Sequence, residues 1–505
     1  MDNFIVHSLI KPGTMHSRDY QASILKTAKE KHTLACLPTG LGKTPIAILL
    51  TAHRLEKFPD SKIMVCAPTK PLTEQHFRSF KKFLNLDESF FQVITGTIKP
   101  NEREKLYLEK KLIFATPQTI RNDIENKRLS LKEFSLLVID EIHHSIGAYS
   151  YNFVAEEYLK NSTNTRILGL TASPGATRNK IDEICKNTGI EAVEIKTEVD
   201  EDVSPYVKEK EMGVISVELP PSFLKIREHL DVVYRKKINS ISKWGLRKKA
   251  SKRILLEMQK RFILQANRGD KRAFVMMSLI SQAIKVEHSI GLLETQGISI
   301  LEKYFQKLRK DKTKGAQRLL KDKNILNAMY FVDKLYDEGA KHPKTGKLCQ
   351  IVIEQLNENP KSRIIIFANY RDTVKDIVSV LEKIDGVRPV MLVGQKEGIT
   401  QKKQVETIKK FESGEFNILI GTSISEEGLD ISKANIAIFY EPVPSPLRSI
   451  QRRGRVGRMK VGKVIILITK GTRDEAYYWS AFHKEKEMKR ILYDMKYGRG
   501  LEKFK

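Results

Sequence analysis

The stretch Thr33-Leu34-Ala35-Cys36-Leu37-Pro38-Thr39-Gly40-Leu41-Gly42-Lys43-Thr44-Pro45 decides how this chain is read. A short apolar run leads into a glycine turn and then into residues that suit a helix start, the order of strand, phosphate loop and helix. Glycines let the backbone turn tightly, so that successive N–H groups point at phosphate oxygens. Pro38, Thr39, Gly40, Leu41, Gly42, Lys43 and Thr44 are therefore candidate nucleotide contacts. Lys43 would reach the β and γ phosphates, and the Thr44 hydroxyl would ligate Mg²⁺. Pro45 fits the first helical turn, where its missing N–H costs little. The strict pattern asks for Gly at position 37, and this chain has Leu.

A second stretch completes the site. Leu136-Leu137-Val138-Ile139-Asp140-Glu141 reads as a buried strand ending in two carboxylates. A lone carboxylate at a strand end is commonly just solvated; downstream of a phosphate loop the pair gains a chemical reading. Asp140 can hold Mg²⁺ through water, and Glu141 can orient and deprotonate an attacking water. His143 and His144 follow, but no other His, Cys or carboxylate cluster has zinc-like spacing. Structural or coupling roles suit them better than ligation.

Similar strands recur along the chain. Thr33–Cys36, Lys62–Ala67, Leu112–Ala115, Leu136–Asp140 and Arg166–Leu170 are candidates in the first zone. Arg363–Phe367, Pro389–Val393, Asn417–Ile420, Ile436–Tyr440 and Lys463–Ile468 are candidates in the last. Short aliphatic runs separated by helix-length segments indicate parallel sheets covered on both faces. The fold class is thus α/β, two parallel-sheet domains with an all-helical domain inserted between them. Expected boundaries are 1–204, 205–345 and 346–485, with 486–505 a basic C-terminal tail.

Charge points to the partner. The 505 residues carry a net +28, which favours nucleic acid or an anionic membrane, although a generally solvated basic surface would give the same count. No apolar run approaches the ~18 residues of a membrane span, and the N-terminus lacks a signal-peptide pattern. Cys36, Cys66, Cys185 and Cys349 lie far apart and read as thiols in a reducing cytoplasm. Residues 221–330 contain 26 Lys and Arg against 9 Asp and Glu, +17 of the excess. Basic residues concentrated on one helical module neutralise phosphates effectively. A last basic string, Gln451-Arg452-Arg453-Gly454-Arg455-Val456-Gly457-Arg458, sets four arginines within eight residues. Arg455 and Arg458, three apart, would share one face of a helix start and could meet a γ-phosphoryl group.

The motifs together resemble superfamily 2 helicases, with Asp140-Glu141-Ile142-His143 similar to their DExH box. That resemblance implies two RecA-like motor domains. It implies an adenine-reading segment at Arg18-Asp19-Tyr20-Gln21, with Arg18 and Gln21 its contacts. It implies nucleic-acid contacts at Thr69, Thr116, Pro117, Gln118, Asn369, Arg371 and Thr422. Coupling would involve His143, Thr171 and Ser173; Gly428 and Asp430 would approach the nucleotide; Gln451, Arg455 and Arg458 would complete catalysis with Lys43, Asp140 and Glu141.

Within that superfamily the chain is similar to archaeal Hef helicases and their Fanconi anaemia group M relatives. The similarity rests on Glu201-Asp202-Val203-Ser204-Pro205-Tyr206-Val207, Phe439-Tyr440-Glu441-Pro442-Val443-Pro444-Ser445 and Thr472-Arg473-Asp474-Glu475-Ala476-Tyr477-Tyr478-Trp479. Ile142-His143-His144 stands where Hef proteins usually show Ala-His-Arg, and the ERKxxxD motif of their nuclease domain is absent from this sequence. The resemblance implies ATP and Mg²⁺ as cofactors and forked or branched DNA as partner, with no membrane. Two other readings stay open: a double-stranded-RNA-dependent ATPase, and a nucleic-acid-binding scaffold that does not hydrolyse ATP.

Overall fold

Aliphatic runs of four to seven residues set the plan of the chain. Its computed structural model describes residues 4–175, 177–207, 211–243, 252–392, 401–422, 434–442 and 462–497. The first sheet contains β1 (Thr33–Cys36), β2 (Lys62–Cys66), β3 (Phe91–Ile94), β4 (Leu112–Ala115), β5 (Phe134–Asp140), β6 (Ile167–Thr171) and β7 (Ala192–Ile195). Its order is β3-β4-β2-β5-β6-β1-β7, and every pairing is parallel. All residues of β1, β4, β5 and β6 are buried, because helices cover both faces. One face packs around Met64, Ile113 and Ile139, the other around Ile63, Val138 and Leu168.

Two strands of this sheet, β3 and β7, were not expected from the sequence. Both lie at its edges, where Gln92 and Glu194 interrupt the apolar run and part of the strand is only half-buried. Edge strands need less burial and so carry a weaker hydrophobic signature.

The second sheet contains β8 (Glu211–Val217), β9 (Ile364–Phe367), β10 (Pro389–Leu392), β11 (Ile418–Gly421), β12 (Ile436–Phe439) and β13 (Lys463–Thr469), in the order β10-β11-β9-β12-β13-β8. Here one expectation needs correction. Residues 211–217 fall within the stretch 205–345 expected to be helical, yet they form an edge strand parallel to β13 over seven register pairs. None of the seven is buried, so the strand lacks the apolar run that marks its neighbours.

Helices Pro221–Ser242, Lys252–Asn267, Lys271–Thr295, Ile298–Lys310, Lys314–Leu319 and Lys323–Asp337 form the module between the sheets. It has two apolar centres. Phe223, Leu230, Leu293 and Phe305 build one; Ile241, Leu255, Met276 and Ile280 build a smaller one.

The string Thr472–Trp479 fastens this module to the second sheet. Arg473 bonds Glu294 Oε2 through Nε at 2.9 Å and Glu287 Oε1 through Nη1 at 2.9 Å. Asp474 accepts from the Lys344 Nζ at 2.7 Å, and both side chains are at most 1% exposed. The expected tail is also different: residues Arg473–Tyr497 are one helix. Its far half buries Met488, Leu492 and Met495 in the first sheet's core, and Lys496 bonds Asp200 at 2.5 Å. Apolar residues spaced by three and four, rather than the basic excess, govern that segment.

Removing one partner of a buried ion pair strands the other charge away from water. Asp474→Ala should therefore cost about 3–5 kcal/mol, seen as an early unfolding transition in calorimetry.

Candidate nucleotide site and its coupling contacts

The loop after β1 enters its helix through two left-handed glycines, Gly40 at φ 90° and Gly42 at φ 75°. A Cβ on Gly42 would lie 2.6 Å from Gln21 Nε2. That closeness has a purpose: Gln21 Nε2 donates to the Leu41 and Gly42 carbonyls at 3.2 Å. Tyr20 OH donates to the Leu41 carbonyl at 2.7 Å while accepting from Arg18 Nη1 at 2.8 Å. Arg18 in turn lies over the Tyr206 ring, 4.7 Å from its centre. Arg18 and Gln21 thus brace the loop that Pro38, Thr39, Gly40, Leu41 and Gly42 form. Lys43 and Thr44 open helix Lys43–Lys57, and the Lys43 ammonium donates to the Leu37 carbonyl at 3.4 Å.

Asp140 ends β5, two strands from β1 across β6, and is 7% exposed. Its Oδ2 lies 2.8 Å from His76 Nε2. His76 was missed in the sequence, since a histidine on an amphipathic helix gives no local sign of its partner. Glu141 takes up φ 50° and ψ 47°, a left-handed backbone that among the described non-glycine residues only Lys127 shares. Such backbone costs of order 1–3 kcal/mol and persists where surrounding structure enforces it. Here Tyr151 OH holds the Asp140 carbonyl at 2.8 Å, and Ile142 packs under Gly169, where a Cβ would come within 2.3 Å.

Glu141 is linked onward. His143 Nδ1 lies 3.2 Å from Glu141 Oε2 and 3.1 Å from Thr171 Oγ1. A carboxylate only accepts, so Nδ1 carries the proton. Thr171 Oγ1 accepts the Ser173 N–H at 3.1 Å, and Ser173 Oγ donates to Met488 Sδ at 2.9 Å. The three residues expected to couple are therefore in contact, in one chain starting at Glu141. Burial pushes the Glu141 carboxyl up and Asp140 adds to it, but the His143 bond and the Lys43 charge outweigh both and hold it below its ordinary value. His144 stacks on Tyr149 with centroids 5.3 Å apart. Burial, then the neighbouring His143, push its pKa down from 6.5 to about 4.

Among the described residues no group of three His, Cys, Asp or Glu side chains converges to hold a cation alone. The Thr44 hydroxyl and Asp140 carboxylate are a sparse, all-oxygen donor set. That chemistry fits Mg²⁺, which keeps waters and phosphate oxygens among its ligands.

The candidate polymer contacts all follow strand ends. Thr69 and Thr116 precede helices Lys70–Phe83 and Pro117–Glu125, with Pro117 and Gln118 in the latter's first turn. Asn369 and Arg371 follow β9, and Thr422 follows β11. Gly428, Asp430, Gln451, Arg455 and Arg458 lie outside the described residues.

This order of motifs on two parallel sheets is that of a superfamily 2 helicase. Residues 14–176 match the family model for the res subunit of type III restriction enzymes, and 343–460 match the helicase conserved C-terminal domain. Residues 222–337 match a helical bundle described for an ATP-dependent RNA helicase. The crystal structure of the Pyrococcus furiosus Hef helicase domain superposes with a TM-score of 0.72 at 41% identity, covering 92% of this chain and 98% of that one. The chain belongs to the Hef helicase family.

A Methanocaldococcus jannaschii protein named as an ATP-dependent RNA helicase is 42% identical over 98% of this chain and 63% of its own length. An ATP-dependent DNA helicase of Schizosaccharomyces pombe is 31% identical over 99% of this chain and 62% of its own. The chain thus spans less than two thirds of these relatives.

The depressed His144 pKa sets a pH dependence. Between pH 6.5 and about 4 the unfolded chain binds a proton there that the folded chain refuses, so stability falls as pH drops through that window. His144→Phe keeps a stacked ring and should shrink the loss of Tm between pH 6.5 and 4 in thermal melts.

Proposed function

We propose that this chain hydrolyses ATP and uses the energy to move along DNA at forked or branched structures, as part of replication-fork repair. The observation that carries this reading is the chain of contacts from Glu141 through His143 and Thr171 to Ser173, with the charges of Lys43 and Asp140 acting on Glu141. It ties a hydrolysis site to elements beyond it. The Lys43 ammonium would bind the β and γ phosphates, with loop N–H groups between Pro38 and Thr44 holding the remaining oxygens. Glu141, kept ionised by His143 and Lys43, would orient the attacking water and take its proton. Thr44 and Asp140 would hold Mg²⁺, which supplies charge neutralisation on the phosphate oxygens. Arg18 and Gln21 would contact the base, Gly428 and Asp430 would approach the nucleotide, and Gln451, Arg455 and Arg458 would complete the site.

Thr69, Thr116, Pro117, Gln118, Asn369, Arg371 and Thr422 would grip the polymer backbone, and the basic module would add phosphate contacts. Support for DNA comes from the fungal relative's name; the archaeal relative's name favours RNA, which is the second reading. Among the described residues no helix is long and apolar enough to cross a membrane. Four unpaired cysteines support a cytoplasmic, reducing location.

Glu141→Gln should lower kcat about a hundredfold or more while leaving fluorescent-nucleotide binding intact. Undiminished turnover in that variant would remove Glu141 from the base role. Lys43→Ala should instead weaken nucleotide binding about tenfold or more. ATPase stimulation by forked DNA, linear duplex DNA, single strands and duplex RNA across a salt series decides the polymer. Forked DNA is expected to stimulate at the lowest concentration, with an affinity that falls steeply as salt rises. Stimulation by duplex RNA alone would overturn the DNA reading.

A further inference from the structure

Where the helical module meets the second sheet lies a closed ring of hydrogen bonds outside the nucleotide site. Glu441 follows β12 and is 2% exposed. Its Oε1 accepts the Asn369 backbone N–H at 2.6 Å. Its Oε2 accepts from Gln296 Nε2, and the Gln296 carbonyl accepts from the Thr373 hydroxyl. Gln296 is 6% exposed and joins helix Lys271–Thr295 to helix Ile298–Lys310 of the module; Thr373, 2% exposed, lies in the first turn of helix Arg371–Leu381. The ring therefore leaves the second sheet's domain at Glu441, passes through the module, and returns at Thr373. It clasps both ends of the segment Asn369-Tyr370-Arg371. Further along the same pair of helices, Ser299 donates to Asp376 at 2.5 Å and Lys303 lies 3.3 Å from Asp372.

A buried carboxylate is costly unless every oxygen is engaged. A neutral amide at 441 would fill the same volume, so packing does not explain the acid. Accepting from two donors at once does: a glutamine there would turn its NH₂ against either the Asn369 N–H or the Gln296 NH₂. Burial pushes the Glu441 carboxyl up, and the Lys344 ammonium opposes that shift.

We propose that Glu441 is a positioning residue for polymer binding, fixing the Asn369–Arg371 segment by tying it to Gln296 of the helical module. Segment and basic module then grip the polymer as one rigid unit carried by the second domain. This rests on the reading above that the segment touches the polymer backbone.

The test compares the full chain with Glu441→Gln, with Thr373→Val, and with the exchange Glu441→Gln plus Gln296→Glu. In the exchange, the amide at 441 donates to the carboxylate at 296 and still accepts from Asn369, while Thr373 keeps its acceptor. ATPase is measured without polymer and over a titration of forked DNA, beside a thermal melt. Glu441→Gln should raise the half-saturating DNA concentration about tenfold, with DNA-free ATPase and the saturated rate within about twofold of wild type. Thr373→Val should give a smaller rise in the same parameter, and the exchange should restore it. A loss confined to the DNA-free rate, an unchanged half-saturation in both single variants, or an exchange that fails to restore it would each overturn the inference. Wild type that neither forked DNA, linear duplex DNA, single strands nor duplex RNA stimulates would overturn the proposed function itself, and this inference with it. The two failures are thereby distinguishable.

Discussion

A parallel ladder forbids a strand from returning directly to its neighbour. Each connection must leave at the carboxyl edge, cross a face and re-enter at the opposite edge. All pairings between named strands in both sheets here are parallel, so this constraint acts throughout. Its result is that loops of very different sequence open on the same side. The glycine loop leaves β1, Thr69 follows β2, Thr116 follows β4, Asp140 ends β5 and Thr171 ends β6. Residues separated by over a hundred positions meet because the ladder sends their strands in one direction.

The site gains its electrostatic character from that convergence. Two carboxylates side by side, largely out of water, would drive one another toward protonation. Here each is given a separate partner, Asp140 the imidazole of His76 and Glu141 that of His143. The His143 ring is held in turn by Thr171. Its Nε2 is buried and has no hydrogen-bond partner among the described residues, which leaves one side of the ring polar and unsatisfied.

Much of this was legible in the sequence, for reasons that differ by element. Central strands such as Leu136–Asp140 announce themselves because burial on both faces demands an unbroken aliphatic run. The glycine loop announces itself because its backbone takes left-handed φ values at Gly40 and Gly42, which favour glycine. Edge strands 91–94, 192–195 and 211–217 were illegible because their half-exposed faces mix polar and apolar residues. The helical character of residues 486–497 was hidden by their basic charge, which sits on the outer face while Met488, Leu492 and Met495 point inward. His76 and Gln296 carry no local signal, since their meaning comes from partners 64 and 145 positions away.

The helix Arg473–Tyr497 has 25 residues and so is about 37 Å long. Its first turn is anchored by Arg473 and Asp474 between the module and the second sheet, and its far half is seated in the first sheet's core. A rod fixed at both ends braces one sheet against the other. Any change in the angle between them must bend the brace or slide Met488 and its neighbours through their socket. Since Met488 meets Ser173 inside that socket, the brace ends one hydrogen bond from the residues joined to Glu141. Mechanical strain in the brace and the candidate nucleotide site therefore share a boundary.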